Sequence, residues 1–94
     1  MRFEWDPAKA AANLVKHGVA FADAALVFDD PLQRSRQDRH EGGEERWQTL
    51  GMVSGIVLLL VSHTWRDDAD GEVIRIVSAR RATKQERREY EQAQ

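Results

Sequence analysis

The sequence predicts an α+β domain in which helices pack on a small, mostly antiparallel sheet, and three observations carry that expectation. Residues 56–61 read IVLLLV, an unbroken apolar run in a chain of which 32% is charged. Turn residues bound it, Ser54-Gly55 in front and Asp67-Asp68-Ala69-Asp70-Gly71 behind, which favours a buried strand over a helix segment. Runs able to pair with it lie on either side, 45–53 before and 72–80 after, giving a three-stranded meander with 56–65 at its centre. Helix-start signals flank this block toward both ends. With 94 residues the chain has room for one core, so a single domain over 1–94 is expected.

Taken in order, residues 2–5 predict a short strand, because Phe3 and Trp5 alternate with charged neighbours. Asp6-Pro7 opens a helix. The carboxylate accepts from amides left unpaired in the first turn, and proline at the first helical position gives up no intrahelical bond. That helix runs through 8–16 and stops near Gly18, which takes left-handed dihedrals readily; Ala11, Leu14 and Val15 are expected on its buried side. A second helix over 21–28 follows from Phe21, Ala24, Ala25 and Phe28 at i, i+3, i+4, i+7. Asp29-Asp30-Pro31 ends it, since a residue before proline avoids helical dihedrals. Residues 32–37 predict an edge strand, whose Gln33, Arg34 and Arg36 discourage pairing with other chains. Residues 38–44 predict a turn. In the tail, Thr83 and Glu86 form a capping box for a helix over 84–91, with Tyr90 as its packing anchor. The order is β-α-α-β-β-β-β-α.

Composition narrows the class. The chain has no cysteine, hence no disulfide framework and no thiolate metal site. Its first residues lack the apolar segment of a signal peptide, and its longest apolar run is too short to span a bilayer, so a cytoplasmic protein without membrane contact is expected. The net charge of −2 is unevenly spread: residues 1–45 hold six basic and nine acidic side chains, whereas 75–88 hold six basic ones against Glu86 alone. Such a local excess forms a basic patch on an acidic protein. His17, His40 and His63 show no metal-site spacing, and no cofactor is expected. His17 beside Gly18 also suits a helix C-terminus, where a cation is favoured, and His40 reads as plain surface.

Strand registry gathers a candidate site. With Ser54-Gly55 as a two-residue hairpin, Val53 faces Ile56 and Arg46 faces His63. With 67–71 as a five-residue loop, Arg66 faces Glu72 and His63 faces Arg75. Opposed residues share a face. Arg46, His63 and Arg75 would therefore form a row across three strands, with Trp65 on the same side and Trp47, Leu58, Leu60, Ile74 and Ile76 on the other. Guanidiniums grip phosphate oxygens bidentately and stabilise charge growing on phosphorus. An imidazole titrating near neutrality moves a proton to or from a ribose hydroxyl. A one-residue error in either turn would separate these groups.

Four segments also match a known family in order and spacing: WDPAKAAANLVKHGVAF (5–21), AALVFDDPL (24–32), EERWQTLG (44–51) and IRIVSARRATKQERREYE (74–91). They resemble the BrnT family of type II toxin–antitoxin ribonuclease toxins. The resemblance implies a RelE-like fold and metal-independent cleavage of RNA that halts translation. It implies neutralisation by a BrnA-like ribbon-helix-helix antitoxin in a two-plus-two complex, with DNA bound only through that antitoxin. The matching motif positions are Lys16 and His17 in KHG, Glu45, Arg46 and Trp47 in ERW, Ser78, Ala79 and Arg80 in SAR, and Glu86 and Tyr90 in the tail. Family members often carry a small or acidic residue after the His63-Thr64 pair; this chain has Trp65.

On this reading a ribose 2′-hydroxyl attacks the adjacent phosphorus, leaving a cyclic phosphate and a 5′-hydroxyl. Arg46, Arg75 and Arg80 would bind the phosphate, and His63 or Glu45 would take the proton. Lys16, His17 and Arg81 would contact the substrate, and Trp65 or Trp47 would stack on a base. Two other functions compete: a non-catalytic module that only holds a partner, and direct DNA binding, for which no helix-turn-helix pattern is visible.

Overall fold

The structure, a computed structural model, describes residues 1–41 and 44–93, and for residues 39–41 and 44 the backbone alone. The elements are β1 (Arg2–Glu4), α1 (Pro7–His17), α2 (Phe21–Ala24), a 3₁₀ helix (Ala25–Asp29), β2 (Arg34–Glu41), β3 (Glu44–Val53), β4 (Val57–Asp68), β5 (Gly71–Arg81) and α3 (Lys84–Gln92). The five strands form one sheet in the order β1-β5-β4-β3-β2. β1 runs parallel to β5 and the other neighbours are antiparallel, so the α+β sheet is mixed. Strand pairing of β2 with β3 continues to Glu41↔Glu44, through most of the stretch expected to be a turn. The rest of that expected turn, residues 42–43, lies outside the described residues.

Local chemistry sets the helix ends. The Asp6 carboxylate accepts from the Ala8 amide at 2.8 Å, and Gly18, at φ 69°, closes α1 with its amide on the Leu14 carbonyl. At α3, Thr83 and Glu86 cap one another reciprocally. The second helix is a single α-turn that tightens into 3₁₀, and its Val27 lies against β3 at Gly51. A Cβ at Gly51 would stand 2.8 Å from the Val27 Cβ, so only glycine admits so close a crossing.

Helix α1 turns the opposite way from expectation. Asn13 is its one buried residue, while Leu14 is 50% and Val15 89% exposed, and Ala11 also faces water. The reason is an unpaired stretch of β5. β1 covers only Val73, Ile74 and Arg75, and the Asn13 amide takes a strand's place farther along. Its Nδ2 donates to the carbonyls of Ala79 and Val19, both at 2.9 Å, and its Oδ1 accepts from the Ala79 amide at 3.1 Å. Satisfying a buried backbone edge outweighs burying two aliphatic side chains.

Two cores sandwich the sheet. On the side of α1 and α2, Val19, Phe21, Ala24 and Val27 pack on Val53, Leu59, Val61, Ile74, Ile76 and Ala79. On the other side Tyr90 of α3 packs on Leu50, Leu58 and Leu60.

Both expected registers are off by one residue. Ser54 and Gly55 do take left-handed dihedrals, φ 54° and 67°, and Ile56 N–H bonds the Val53 carbonyl at 3.0 Å. Ile56, however, is left 81% exposed as an extra residue, and Val53 pairs with Val57. Trp47, rather than Arg46, therefore faces His63. At the next turn Asp68 pairs with Gly71, a two-residue loop in place of five, so His63 faces Ile76 and Thr64 faces Arg75. A further bulge after Ser62 shifts the ladder by one more residue, so that Val61 faces Ala79. Because side chains alternate between faces, each slip sends an arginine to the side away from His63.

Candidate functional site

His63 and the arginines are separated by the sheet. The imidazole is fully buried on the helix-covered side, edge-on to Phe28 with centroids 5.0 Å apart, and 5.8 Å from Trp65, which meets Trp47 at 5.9 Å. Its Nδ1–H donates to the Thr64 carbonyl at 3.0 Å, leaving Nε2 to accept from the Thr49 hydroxyl at 2.7 Å. Thr49 in turn accepts from Ser35 at 2.7 Å. Burial pushes the imidazole pKa below its ordinary value and keeps it neutral. The expected row of Arg46, His63 and Arg75 does not form.

The opposite face gathers charge instead. There α3 covers only the end of the sheet floored by Leu50, Leu58 and Leu60. Toward the other end, buried Thr64 lies beside Arg75 of β5, its direct partner. Arg46 of β3 sits one residue beyond the Trp47↔His63 pair and, by alternation, on this face. Arg46 and Arg75 thus flank Thr64 from the two neighbouring strands. Arg66 follows two residues along β4, and Glu4 of β1 lies opposite Arg75. The Glu4 carboxylate accepts from Arg66 at 2.8 Å and from Arg75 at 3.4 Å, and these guanidiniums hold its pKa below the usual range. The Arg46 Nε is buried and bonds none of the described residues. A guanidinium presents planar N–H donors that a phosphate oxygen pair can meet bidentately.

The remaining expected site residues lie elsewhere. Arg80 stands five residues from Arg75 along β5, roughly 17 Å, and is locked to α3. Its Nη1 and Nη2 bond the two Glu86 oxygens at 2.8 and 3.0 Å. Arg80, with the Thr83 amide, holds the Glu86 carboxyl at about 2. This is a strut between strand and helix. Arg81 is exposed at the end of β5, and Lys16 and His17 close α1 on the side that carries His63. Trp65 is 36% exposed, its indole N–H on Glu72 at 2.6 Å, and Glu45 is exposed beside Arg46 in β3. Sequence reasoning missed Thr64, Glu4 and Arg66; only the correct register shows that they adjoin Arg75. Among the described residues no three His, Asp or Glu side chains are placed to hold a metal ion.

Comparison with known proteins supplies the remaining link. A solved structure, the 1.1 Å crystal structure of the Brucella abortus ribonuclease toxin BrnT, superposes with a TM-score of 0.68 at 22% identity, over 89% of this chain and 99% of that one. At that identity the likeness establishes the fold. No curated protein matches the chain. A family model described as the ribonuclease toxin BrnT of type II toxin–antitoxin systems matches residues 5–86, nearly the whole chain. The chain belongs to the BrnT family of ribonuclease toxins of type II toxin–antitoxin systems.

Proposed function

We propose that this toxin cleaves RNA on the open face of the sheet, with the scissile phosphate gripped by Arg46 and Arg75 above Thr64. The observation that carries the reading is the Arg46 Nε, which bonds none of the described residues, on the same face as Arg75. Two guanidiniums flanking one point are the arrangement that stabilises charge building on a pentacoordinate phosphorus. Glu4 positions Arg66 and Arg75, and a carboxylate so engaged is a poor base. Glu45, next to Arg46 in β3, points by alternation to the His63 side, so the proposal assigns the proton of the attacking 2′-hydroxyl to solvent water. As that oxygen bonds to phosphorus, the bond to the 5′-oxygen breaks and water protonates the leaving group. The products are a 2′,3′-cyclic phosphate and a 5′-hydroxyl. His63 and Trp65, in ring contact on the other face of the sheet, act as packing residues behind the site. Arg80, Arg81, Lys16 and His17 stand outside the phosphate grip. Family membership supports a BrnA-like ribbon-helix-helix antitoxin in a two-plus-two complex, which would carry the contact with DNA.

The test is cleavage of a single-stranded RNA by the pure toxin with EDTA present. Arg46→Ala and Arg75→Ala are each expected to lower the rate by about 10²-fold or more. Arg46→Lys, which keeps charge but loses the fork, should recover only part of it. Cleavage by Arg46→Ala at the wild-type rate would remove the open face as the site.

A further inference from the structure

We infer that the outward face of α1 is the seat of a partner protein's helix bearing an apolar stripe and an acidic border and, resting on the reading of this chain as an antitoxin-controlled toxin, that the helix belongs to the antitoxin. The argument starts from the inversion of α1. At about 100° per residue, Ala10, Asn13 and His17 point to the sheet, and all three are at least partly buried. The opposite side carries Ala8, Ala11, Ala12 and Val15 at i, i+3, i+4, i+7, every one exposed. Leu14, half exposed, borders this stripe on one flank, and exposed Lys9 and Lys16 border it on the other. An amphipathic helix normally buries its aliphatic stripe; here the aliphatic side chains face water and the sheet takes an amide.

The shape of the stripe limits its occupant. Three alanines let a helix backbone approach closely, and Val15 offers a knob at the C-terminal end. A second copy of this chain is a poor fit. In an antiparallel two-fold pair Lys9 and Lys16 of one copy meet Lys16 and Lys9 of the other, and in a parallel one they lie against the partner copy's Leu14 with no acidic group to meet them. A helix with Asp or Glu along the matching border removes that repulsion and supplies ion pairs at the rim.

The decisive measurement is calorimetric titration of the toxin with the antitoxin encoded beside it, for the wild-type chain, Val15→Asp and Lys9→Glu. Both side chains are exposed, so unchanged thermal melting and RNA cleavage are expected to show intact folds. Val15→Asp should weaken the antitoxin by about 30-fold or more. Lys9→Glu should weaken it by about tenfold at low salt, with the difference shrinking as salt is raised. Wild-type affinity in both variants would overturn the α1 surface while leaving the antitoxin reading intact. A wild-type chain that binds no antitoxin overturns both. A toxin that dimerises alone and becomes monomeric with Val15→Asp assigns the face to a second copy and overturns the proposal.

Discussion

At the scale of single residues, a sealed histidine is the group whose surroundings matter most. His63 is satisfied at both ring nitrogens by a chain running from Ser35 through Thr49, and only the neutral imidazole fits it with the Thr49 hydroxyl donating. Thr49→Val keeps the shape and strands Nε2 in an apolar pocket. Urea unfolding should show a loss of about 1–3 kcal/mol. The pH sign follows from the depressed pKa: the unfolded chain takes up a proton below about 6.5 and the folded chain resists it. Stability from this group is complete above that value and falls as pH drops below it. Replacing His63 with Gln should flatten this slope in urea midpoints taken between pH 7 and 5. An equally steep slope in that variant would place the titration elsewhere. Nothing in the sequence marks His63 as buried. A polar residue at the end of an apolar run faces the core or the open side according to register, and register turned on whether Ile56 occupies a ladder position.

At the scale of elements, α3 shows how much of an ion pair's role is support. Its own contribution to the core is Tyr90, whose hydroxyl donates to Asp30 at 2.6 Å while Asp30 also accepts from the Met52 and Leu32 amides. Arg80 and Glu86 bolt its first turn to β5. Glu86 is depressed from 4.5 to about 2, so its stabilisation is present above 4.5 and lost as pH falls through about 2. Glu86→Gln should remove that acid limb from a melting curve recorded between pH 5 and 2. Arg80→Ala, which leaves a buried carboxylate unpaired, should cost more stability than Glu86→Gln, and lost toxicity in that variant would report unfolding before chemistry. Helix ends were open to prediction because each is decided within four residues: Asp6-Pro7, Gly18, and the Thr83–Glu86 box. The inward side of α1 was not, since it depends on β1 being too short to cover β5. Gly51 belongs here as well. The crossing of the 3₁₀ helix over β3 leaves no room for a methyl, and Gly51→Ala should destabilise by about 1–3 kcal/mol in the same unfolding assay.

At the scale of the whole molecule, a chain of net charge −2 has to attract a polyanion, and total charge is the wrong quantity to judge it by. The basic excess visible in residues 75–88 is divided by the fold. Arg75 goes to the open end of the sheet, Arg80 is spent on Glu86, and Lys84, Arg87 and Arg88 ride on the exposed side of α3. What gathers at the open end comes from four strands, Glu4, Arg46, Arg66 and Arg75, and no window of sequence contains it. Binding should then depend on few phosphate contacts. With Arg46 and Arg75 each neutralising one phosphate charge, the logarithm of affinity for single-stranded RNA should fall against the logarithm of salt with a slope near −1.4, about 0.7 per contact. Arg75→Ala should bring the slope toward −0.7, whereas Lys84→Ala should leave it unchanged. A slope several times steeper, insensitive to Arg75 and reduced by changes on α3, would move the RNA path onto the helix and away from the open face.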